Sequence, residues 1–351
     1  MGRGADRRAG AEVALTAPRP PTVSVVIPAF RAARCIAATL SSVSALPAPP
    51  GEIVVVDDHS PDDTVSVVAG MTPHLRVPVR VIELPRNTGG PATPLNVGIE
   101  AATGDWIATL DHDDLFPPEK LSAQLELAAA APEVGLIFGD VRCQGPDEQL
   151  NAEIEKGFHT DIEALPKRAV AGGFVIESRD ATAGVICTRA FVRTCSNMLF
   201  PKAVWRACGG FDPQTVVSCD FAFLAAVARR YPLGYVPAPS AVWTLHPDSL
   251  YRTGGNYARV RDQLHVFSQL ARSGLDHELR RELIAAVKEL AFDGAYGLRE
   301  RGQYLDAVRC LLRGMRVVGP WGAGVASVLK LAPHWLRRRL GRSAPPETPE
   351  R

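Results

Sequence analysis

The residues Trp106-Ile-Ala-Thr-Leu-Asp-His-Asp-Asp114 combine a short apolar run with the acidic cluster that follows it. A run of this length, bounded by polar residues, is typical of a buried β-strand. Three earlier segments have the same apolar, β-branched character, and stretches with helical periodicity separate them: Val23–Ile27, Ile53–Val56 and Val79–Leu84. Strands that alternate with helices predict an α/β fold, in which helices cover both faces of a mostly parallel sheet.

Two of the predicted strands end in carboxylates. Asp57 and Asp58 follow the second strand, and Asp111 to Asp114 follow the fourth. Because ligands of such sheets bind beyond the carboxyl ends of the strands, both clusters should face one crevice. Asp111 and Asp113 can present carboxylates to a Mg²⁺ or Mn²⁺ ion that also binds a sugar diphosphate. The alternative is an acidic turn that caps the next helix.

Asp57 and Asp58 can accept hydrogen bonds from the imide N–H of a base or from ribose hydroxyl groups. The alternative is that both face solvent while Ser60 caps the next helix. The loop after the first strand, Pro28-Ala-Phe-Arg31, lacks the Gly-x-Gly-x-x-Gly motif of a dinucleotide-binding oxidoreductase. It also lacks the glycine-rich basic loop that a sugar nucleotidyltransferase needs.

The periodicity divides the chain into four parts. We expect a disordered lead at residues 1–21, an α/β domain at 22–253, a helical C-terminal region at 254–342 and a disordered tail at 343–351. Within the α/β domain the pattern weakens between Gln144 and Val185, as it would in an insertion or a mobile acceptor loop.

The chain resembles the family 2 glycosyltransferases, which have the GT-A fold, over about Thr22 to Leu250. Five ordered motifs carry the resemblance: Val23-Ser-Val-Val-Ile-Pro-Ala-Phe30, Val55-Val-Asp-Asp-His-Ser-Pro-Asp-Asp-Thr64, Arg86-Asn-Thr-Gly89 with Asn96-Val-Gly98, Gly104-Asp-Trp-Ile-Ala-Thr-Leu-Asp-His-Asp-Asp114, and Gly209-Gly-Phe-Asp212 with Asp220. The fold it implies is a Rossmann-like, mostly parallel sheet flanked by helices, with a C-terminal helical appendage.

The resemblance also implies roles for individual residues. Asp220 would be the general base that accepts the proton of the acceptor hydroxyl, which gives inversion at the anomeric carbon in one step. Asp111, Asp113 and the later His246 would bind a divalent metal ion, Mn²⁺ or Mg²⁺. The residues implied to bind nucleotide are Pro28, Ala29, Phe30, Asp57, Asp58, Asn87, Gly89, Asn96 and Asp111. The structural alternatives are an N-cap role for Asp220 and a purely structural role for His246.

Three departures from the family pattern bear on this interpretation. Leu95 stands where the family often has arginine, and Cys219 replaces the usual acidic neighbour of the base. The chain also lacks a Gln/Arg-x-x-Arg-Trp motif after the base, which argues against a processive synthase. We therefore expect a non-processive, inverting transferase that uses a UDP, GDP or dTDP sugar and a saccharide or lipid-linked acceptor, in cell-envelope or exopolysaccharide synthesis. The alternatives are a catalytically silent nucleotide-sugar binding module and a sugar nucleotidyltransferase.

Charge and composition limit the partners and the location. The formal charge of +1, from 39 basic and 38 acidic residues, argues against nucleic-acid binding. Seven scattered cysteines without zinc-site spacing are expected to be reduced thiols of a cytoplasmic protein. The apolar and basic helices at Gly314–Arg342 fit peripheral association with the inner face of the plasma membrane. Packing of these helices on their own domain is the alternative.

Overall fold

A nine-stranded sheet forms the centre of the protein. The computed structural model describes residues 21–188, 191–246 and 255–339. The strands are β1 Val23–Ala29, β2 Glu52–Asp57, β3 Val79–Glu83, β4 Trp106–Thr109, β5 Leu136–Gln144, β6 Arg168–Val170, β7 Gly173–Ile176, β8 Leu199–Pro201 and β9 Leu233–Thr244. Their order is β3-β2-β1-β4-β8-β5-β9-β7-β6. The strand pairings reverse only β7 and β8 relative to the others, so the predicted mostly parallel sheet is confirmed.

Helices flank the sheet and continue beyond its last strand. Those of the first half are α1 Ile36–Ser44, α2 Thr64–Met71, α3 Ala92–Ala101, α4 Lys120–Ala130 and α5 Glu148–Glu163. They are followed by α6 Ser178–Thr188, α7 Lys202–Cys208, α8 Cys219–Ala228, α9 Gly255–Ala271, α10 His277–Glu300, α11 Tyr304–Val318 and α12 Gly322–Arg339. Among the residues that the structure describes, no helix is both long and apolar enough to cross a membrane.

Successive side chains of the central strands point to opposite faces of the sheet, and an apolar core covers each face. Val26 and Val54 belong to the apolar core on one face of the sheet, whereas Val25 and Ile53 belong to the core on the other. Every residue of β1 is buried, as a central parallel strand requires. The strand also continues through Pro28 to Ala29, two residues beyond the Val23–Ile27 segment expected from the sequence.

The stretch from Gln144 to Val185, for which the sequence suggests an insertion or mobile loop, contains regular structure. It holds α5, the β6–β7 hairpin and most of α6. Of the four large apolar residues of α5, which are spaced four apart at 150, 154, 158 and 162, only Phe158 and Ile162 are buried. Asp147 begins this helix by accepting a hydrogen bond from the N–H of Leu150.

The C-terminal helices α9 to α12 pack against one another, and α9 and α10 also contact α8 and α6 of the sheet layer. The expected division near residue 254 lies at the edge of a part that the structure does not describe, so the domain boundaries remain a prediction. The predicted disordered lead, except Pro21, and the predicted tail at 343–351 lie outside the described residues.

Lys120, at the start of α4, is completely buried. Its Nζ lies 4.5 Å from the ring centroid of Phe116 and has no hydrogen-bond partner within the described part of the chain. Burial lowers the pKa of this amine well below its usual value. The folded state therefore binds the proton less tightly than the unfolded chain, and stability rises with pH until the unfolded amine also loses its proton.

We predict that Lys120→Met stabilises the protein at pH 7 by about 1–3 kcal/mol, because it removes a buried polar group without a partner. It should also flatten the dependence of stability on alkaline pH. The measurement is urea unfolding at pH 7 and pH 9. Lys202→Met is the matched control and should destabilise, because Lys202 Nζ donates to the carbonyl oxygens of Glu100 and Ala102. Destabilisation by Lys120→Met would contradict the prediction.

Candidate active site

The carboxyl ends of β1, β2 and β4 bring the predicted acidic clusters to one edge of the sheet. Ala29 pairs with Asp57 across β1 and β2. The N–H of Asp58 donates to the carbonyl of Ala29 at 2.8 Å, and that of Leu110 donates to Val26 at 3.1 Å. The residues that follow these strands therefore leave the sheet side by side.

Asp57 presents a free oxygen at this edge. The residue is 3% exposed, and its Oδ2 accepts a hydrogen bond from the N–H of Ser60 at 2.9 Å. Its buried Oδ1 has no hydrogen-bond partner among the described residues. Because an unpaired buried acceptor is costly, this oxygen is a candidate for binding an N–H group of a ligand.

The loops around Asp57 have a constrained backbone. Arg31 and His59, which follow β1 and β2, both adopt positive φ angles, 54° and 60°. Such angles are uncommon outside glycine and concentrate at ligand sites. The guanidinium of Arg31 lies 5.3 Å from the ring centroid of Phe30. Phe30 is half-buried, so part of its ring remains available to stack on a base.

Asp58 is committed to its own protein rather than to the crevice. Both of its carboxylate oxygens accept from the N–H of Thr88, at 2.9 and 3.0 Å. Asn87 donates to the carbonyl of Asp58 and accepts from the N–H of Gly89, whose φ is 86°. Asp58 and Asn87 therefore fix the turn at Asn87–Gly89 beside the end of β2.

Asn96 lies on α3 with its side-chain amide fully engaged. Its Oδ1 accepts from the indole N–H of Trp205 at 3.0 Å and from the N–H of Phe211 at 2.9 Å, and its Nδ2 donates to the carbonyl of Phe211 at 2.7 Å. These bonds hold the Gly209-Gly210-Phe211 turn. They give Asn96 a structural role, and we do not retain it among the nucleotide-binding residues.

The acidic loop after β4 is anchored to neighbouring elements. His112 Nδ1 lies 3.1 Å from the carbonyl oxygen of Pro28, and the hydroxyl of Thr39 donates to the carbonyl of His112. The N–H of Asp111 donates to Ser196 Oγ at 2.9 Å, and Asp111 Oδ2 accepts from the hydroxyl of Thr194 at 3.0 Å. Burial and the charge of Asp113 raise the pKa of Asp111 to about 6.

Asp114 connects this loop to two further segments. Only 1% of the residue is exposed, and its Oδ2 accepts hydrogen bonds from Ser196 at 2.6 Å and Thr194 at 3.2 Å. Its Oδ1 accepts from the N–H of Thr244, at the end of β9. Asp114 thereby fixes the end of β9 two residues before His246.

This anchoring brings His246 to the acidic loop. Its Nε2 lies 2.8 Å from Asp113 Oδ2, and both side chains are only partly buried. Within the described part of the chain, no group of three or more His, Cys, Asp or Glu side chains surrounds a single point. The residues present nevertheless fit Mg²⁺ or Mn²⁺, because such ions are usually bound by one or two carboxylates together with substrate phosphates.

Asp220, the second residue of α8, lies close to the acidic loop. Cys219 Sγ lies 3.8 Å from the sulfur of Cys195, the residue next to Thr194, so the helix start packs directly against the segment that holds Asp111. Burial, helped by the charge of Asp111, raises the pKa of Asp220 to about 7. A carboxyl group with that pKa can accept a proton near neutral pH.

Sequence reasoning did not identify several of these positions. Thr194 and Ser196 lie in a short segment without a recognisable motif, although their hydroxyls hold both Asp111 and Asp114. Asp262 on α9 accepts a hydrogen bond from the N–H of Val216, which is 46 residues away in the sequence. A single sequence carries no signal for such long-range contacts.

Solved structures share this architecture, which is of the GT-A type. Staphylococcus aureus TarS residues 1–349 in complex with UDP-GlcNAc superposes with a TM-score of 0.61 at 17% identity, covering 92% of this chain and 93% of that one. The mannosyltransferase PcManGT of Pyrobaculum calidifontis in complex with GDP-Man and Mn²⁺ gives 0.52 at 20% identity, covering 91% and 81%. At such identities the likeness establishes the fold.

Sequence matches cover part of the chain. Residues 24–175, less than half of its length, match the model of Glycosyl transferase family 2. The succinoglycan biosynthesis protein ExoO of Rhizobium meliloti is 43% identical over 111 residues, which are 32% of this chain and 31% of ExoO. The chain thus spans less than half the length of the first curated relatives that it matches.

We predict that Asp220→Asn stabilises the protein at pH 8 while it removes activity. The pKa of Asp220 is raised on folding, so the folded state holds its proton more tightly and stability falls as pH rises from about 4 to about 7. Asparagine removes this cost and keeps an oxygen for the N–H of Phe221. Thermal unfolding at pH 5 and pH 8 measures the difference.

The same shift predicts an acid limb near pH 7 in the rate of wild-type donor cleavage, because the base must be deprotonated. Asp63→Asn, at an exposed aspartate before α2, should leave both stability and rate unchanged. An Asp220→Asn variant with wild-type rates, or with lower stability at pH 8, would refute the assignment.

Proposed function

We propose that this chain is a metal-dependent, inverting, non-processive glycosyltransferase that moves a sugar from a nucleoside diphosphate sugar to a hydroxyl acceptor. The proposal rests on the observation that three sets of functional groups lie at one edge of the sheet. These are the free buried oxygen of Asp57, the Asp111, Asp113 and His246 group, and the raised-pKa carboxyl of Asp220.

We assign base recognition to Asp57 and its surroundings. Its free Oδ1 can accept the N–H of uracil, thymine or guanine, which is the group that UDP, dTDP and GDP sugars share in a suitable position. Phe30 can stack on the base, while Pro28 and Ala29 form the buried floor of the loop. Asp58, Asn87 and Gly89 would affect nucleotide binding indirectly, because they determine the shape of the Asn87–Gly89 turn beside this pocket.

Asp111, Asp113 and His246 would hold the divalent ion, either Mn²⁺ or Mg²⁺. When bound, the ion neutralises the charge that develops on the departing diphosphate. The hydroxyl of Thr194 orients Asp111, and Asp114 fixes the strand end that carries His246. Partners of this kind commonly determine how well ligand side chains are positioned.

Asp220 accepts the proton of the acceptor hydroxyl group as the oxygen of that hydroxyl attacks the anomeric carbon. The attack comes from the face opposite the diphosphate, so the bond to the sugar forms with inverted configuration. Cys219, in place of an acidic neighbour, packs on Cys195 and leaves Asp220 as the carboxylate of this segment. The proton remains on Asp220 until the product leaves.

We infer the acceptor class from relatives. ExoO is a succinoglycan biosynthesis protein, and TarS is a poly(ribitol-phosphate) beta-N-acetylglucosaminyltransferase. Both names refer to extracellular or cell-envelope polymers. We therefore propose a saccharide or lipid-linked acceptor in the synthesis of such a polymer.

The test is the release of nucleoside diphosphate from UDP-Glc, UDP-GlcNAc, GDP-Man and dTDP-Glc by the purified protein with Mn²⁺. We predict that one donor is cleaved slowly, that EDTA stops the reaction, and that Asp111→Ala/Asp113→Ala lowers the rate at least about 100-fold. Asp63→Asn is the matched control and should retain the wild-type rate.

The outcomes separate the alternatives. Binding of a donor without release of nucleotide would favour the silent binding module. Release of pyrophosphate from a nucleoside triphosphate and a sugar phosphate would favour the nucleotidyltransferase. Cleavage that is unaffected by EDTA would refute the metal assignment.

We also propose that the C-terminal helices bind the cytoplasmic face of an anionic membrane. Residues 307–346 contain eight basic and no acidic residues, which leaves 31 basic and 38 acidic residues elsewhere. Phe292 and Tyr296 on α10 are 44% and 54% exposed. With Arg299 and Lys330 they line a groove between α10 and α12. Apolar side chains beside cations are suited to an anionic lipid surface.

Flotation with vesicles of phosphatidylglycerol and phosphatidylcholine tests this proposal. We predict binding to these vesicles and none to pure phosphatidylcholine. Phe292→Ser/Tyr296→Ser should weaken binding at least about tenfold, since burying one aromatic side chain contributes about 1.5–3 kcal/mol. Leu150→Ser, at an exposed apolar residue of α5, is the control. Equal flotation of wild type and double variant would contradict the proposal.

A further inference from the structure

Asp262, on α9, binds the backbone of the loop that precedes the general base. Its Oδ2 accepts hydrogen bonds from the N–H groups of Val216 at 2.8 Å, Val217 at 2.8 Å and Ser218 at 3.3 Å. The residue is completely buried, and its Oδ1 pairs with Arg261 at 2.8 Å. Three successive N–H groups directed at one oxygen form an anion-binding nest, here filled by a carboxylate of the same chain.

The same helix also holds the other end of this loop. His265 Nε2 lies 2.8 Å from Asp212 Oδ2, and Gln269 Nε2 donates to that oxygen at 2.9 Å. Asp262, His265 and Gln269 follow helical spacing, so they lie on one face of α9. The loop from Asp212 to Ser218 is therefore fixed at both ends by one helix face.

This loop lies between the nucleotide turn and the base. A Cβ atom at Gly90, next to the Asn87–Gly89 turn, would lie 3.1 Å from the carbonyl oxygen of Val216. At its other end the loop continues from Ser218 into α8, where Asp220 is the second residue. A shift of residues 216–218 would therefore move the base relative to the donor.

The carboxylate of Asp262 is suited to hold this position. Hydrogen bonds to a charged acceptor are stronger than those between neutral groups, and they are stronger still when buried. Ser218, the residue before α8, makes no side-chain cap for this helix, and its own N–H donates to Asp262 Oδ2. Loss of that oxygen would remove the acceptor of three N–H groups, of which that of Ser218 is buried and those of Val216 and Val217 are partly buried.

We propose that Asp262 is a positioning residue for the transfer reaction: it sets the place of the Asp220 carboxylate by clamping residues 216–218. The inference rests on the proposed function. It makes α9 part of the working site, although α9 follows the sheet in the chain. A displacement of about 1 Å in a reacting group can cost about 100-fold in rate, so a clamp of this kind affects turnover more than donor binding.

The test compares Asp262→Ala, Asp262→Asn and Asp276→Ala on the donor that the wild type cleaves fastest. Asp262→Ala should lower kcat about 100-fold and change KM for the donor less than about threefold. Asp262→Asn keeps an acceptor oxygen and should recover most of the rate. Asp276→Ala removes the aspartate that accepts the N–H of Leu279 at the start of α10, so it should lower Tm and leave kcat unchanged.

Amide hydrogen exchange gives a readout that does not need activity. Asp262→Ala should increase exchange in residues 216–221, and Asp276→Ala should not. A wild type that cleaves no donor would refute the proposed function, and the exchange result would still decide whether Asp262 clamps the loop. An unchanged kcat in an active Asp262→Ala variant, or unchanged exchange at residues 216–221, would overturn the inference.

Discussion

The candidate site depends on the hydrogen bonds that the buried carboxyl group of Asp114 accepts. This group joins the end of β4, the Thr194–Ser196 segment and the end of β9 through hydrogen bonds to a hydroxyl pair and a backbone N–H. The first of these segments leads to Asp111, the second contains Cys195, which contacts Cys219, and the third leads to His246. An acidic loop after a parallel strand can adopt many conformations, and this network selects the one in which the carboxyl groups proposed to bind the metal and to act as the general base approach each other.

The clustering of negative charge has an energetic consequence that is consistent with function. The pKa values of Asp111, Asp114 and Asp220 are all raised, mainly because burial disfavours their charged forms. A protein selected for stability alone would avoid such a group of buried carboxyls. Binding of a cation beside Asp111 and Asp113 would offset the repulsion among these groups, and the proposed metal would therefore stabilise this arrangement.

Much of the sheet and the acidic clusters could be predicted because their signals are local. The apolar runs at Val23, Ile53 and Trp106 identify the strands, and the rule for parallel sheets places their carboxyl ends together. The helix α5 was missed, although Leu150, Ile154, Phe158 and Ile162 recur at helical spacing, because polar residues dominate the rest of the segment. The roles of Asn96 and Asp262 could not be predicted, because each depends on partners more than 40 residues away.

The central claim is that one crevice holds the nucleobase of the donor at Asp57 and its diphosphate at Asp111 and Asp113. Its most direct test is a crystal structure of the protein with Mn²⁺ and the nucleoside diphosphate that the cleavage assay selects. The account predicts an N–H of the base within hydrogen-bond distance of Asp57 Oδ1, and the ion in contact with Asp111 or Asp113 and with phosphate oxygens. A nucleotide bound elsewhere, with Asp57 Oδ1 facing only protein atoms, would contradict it.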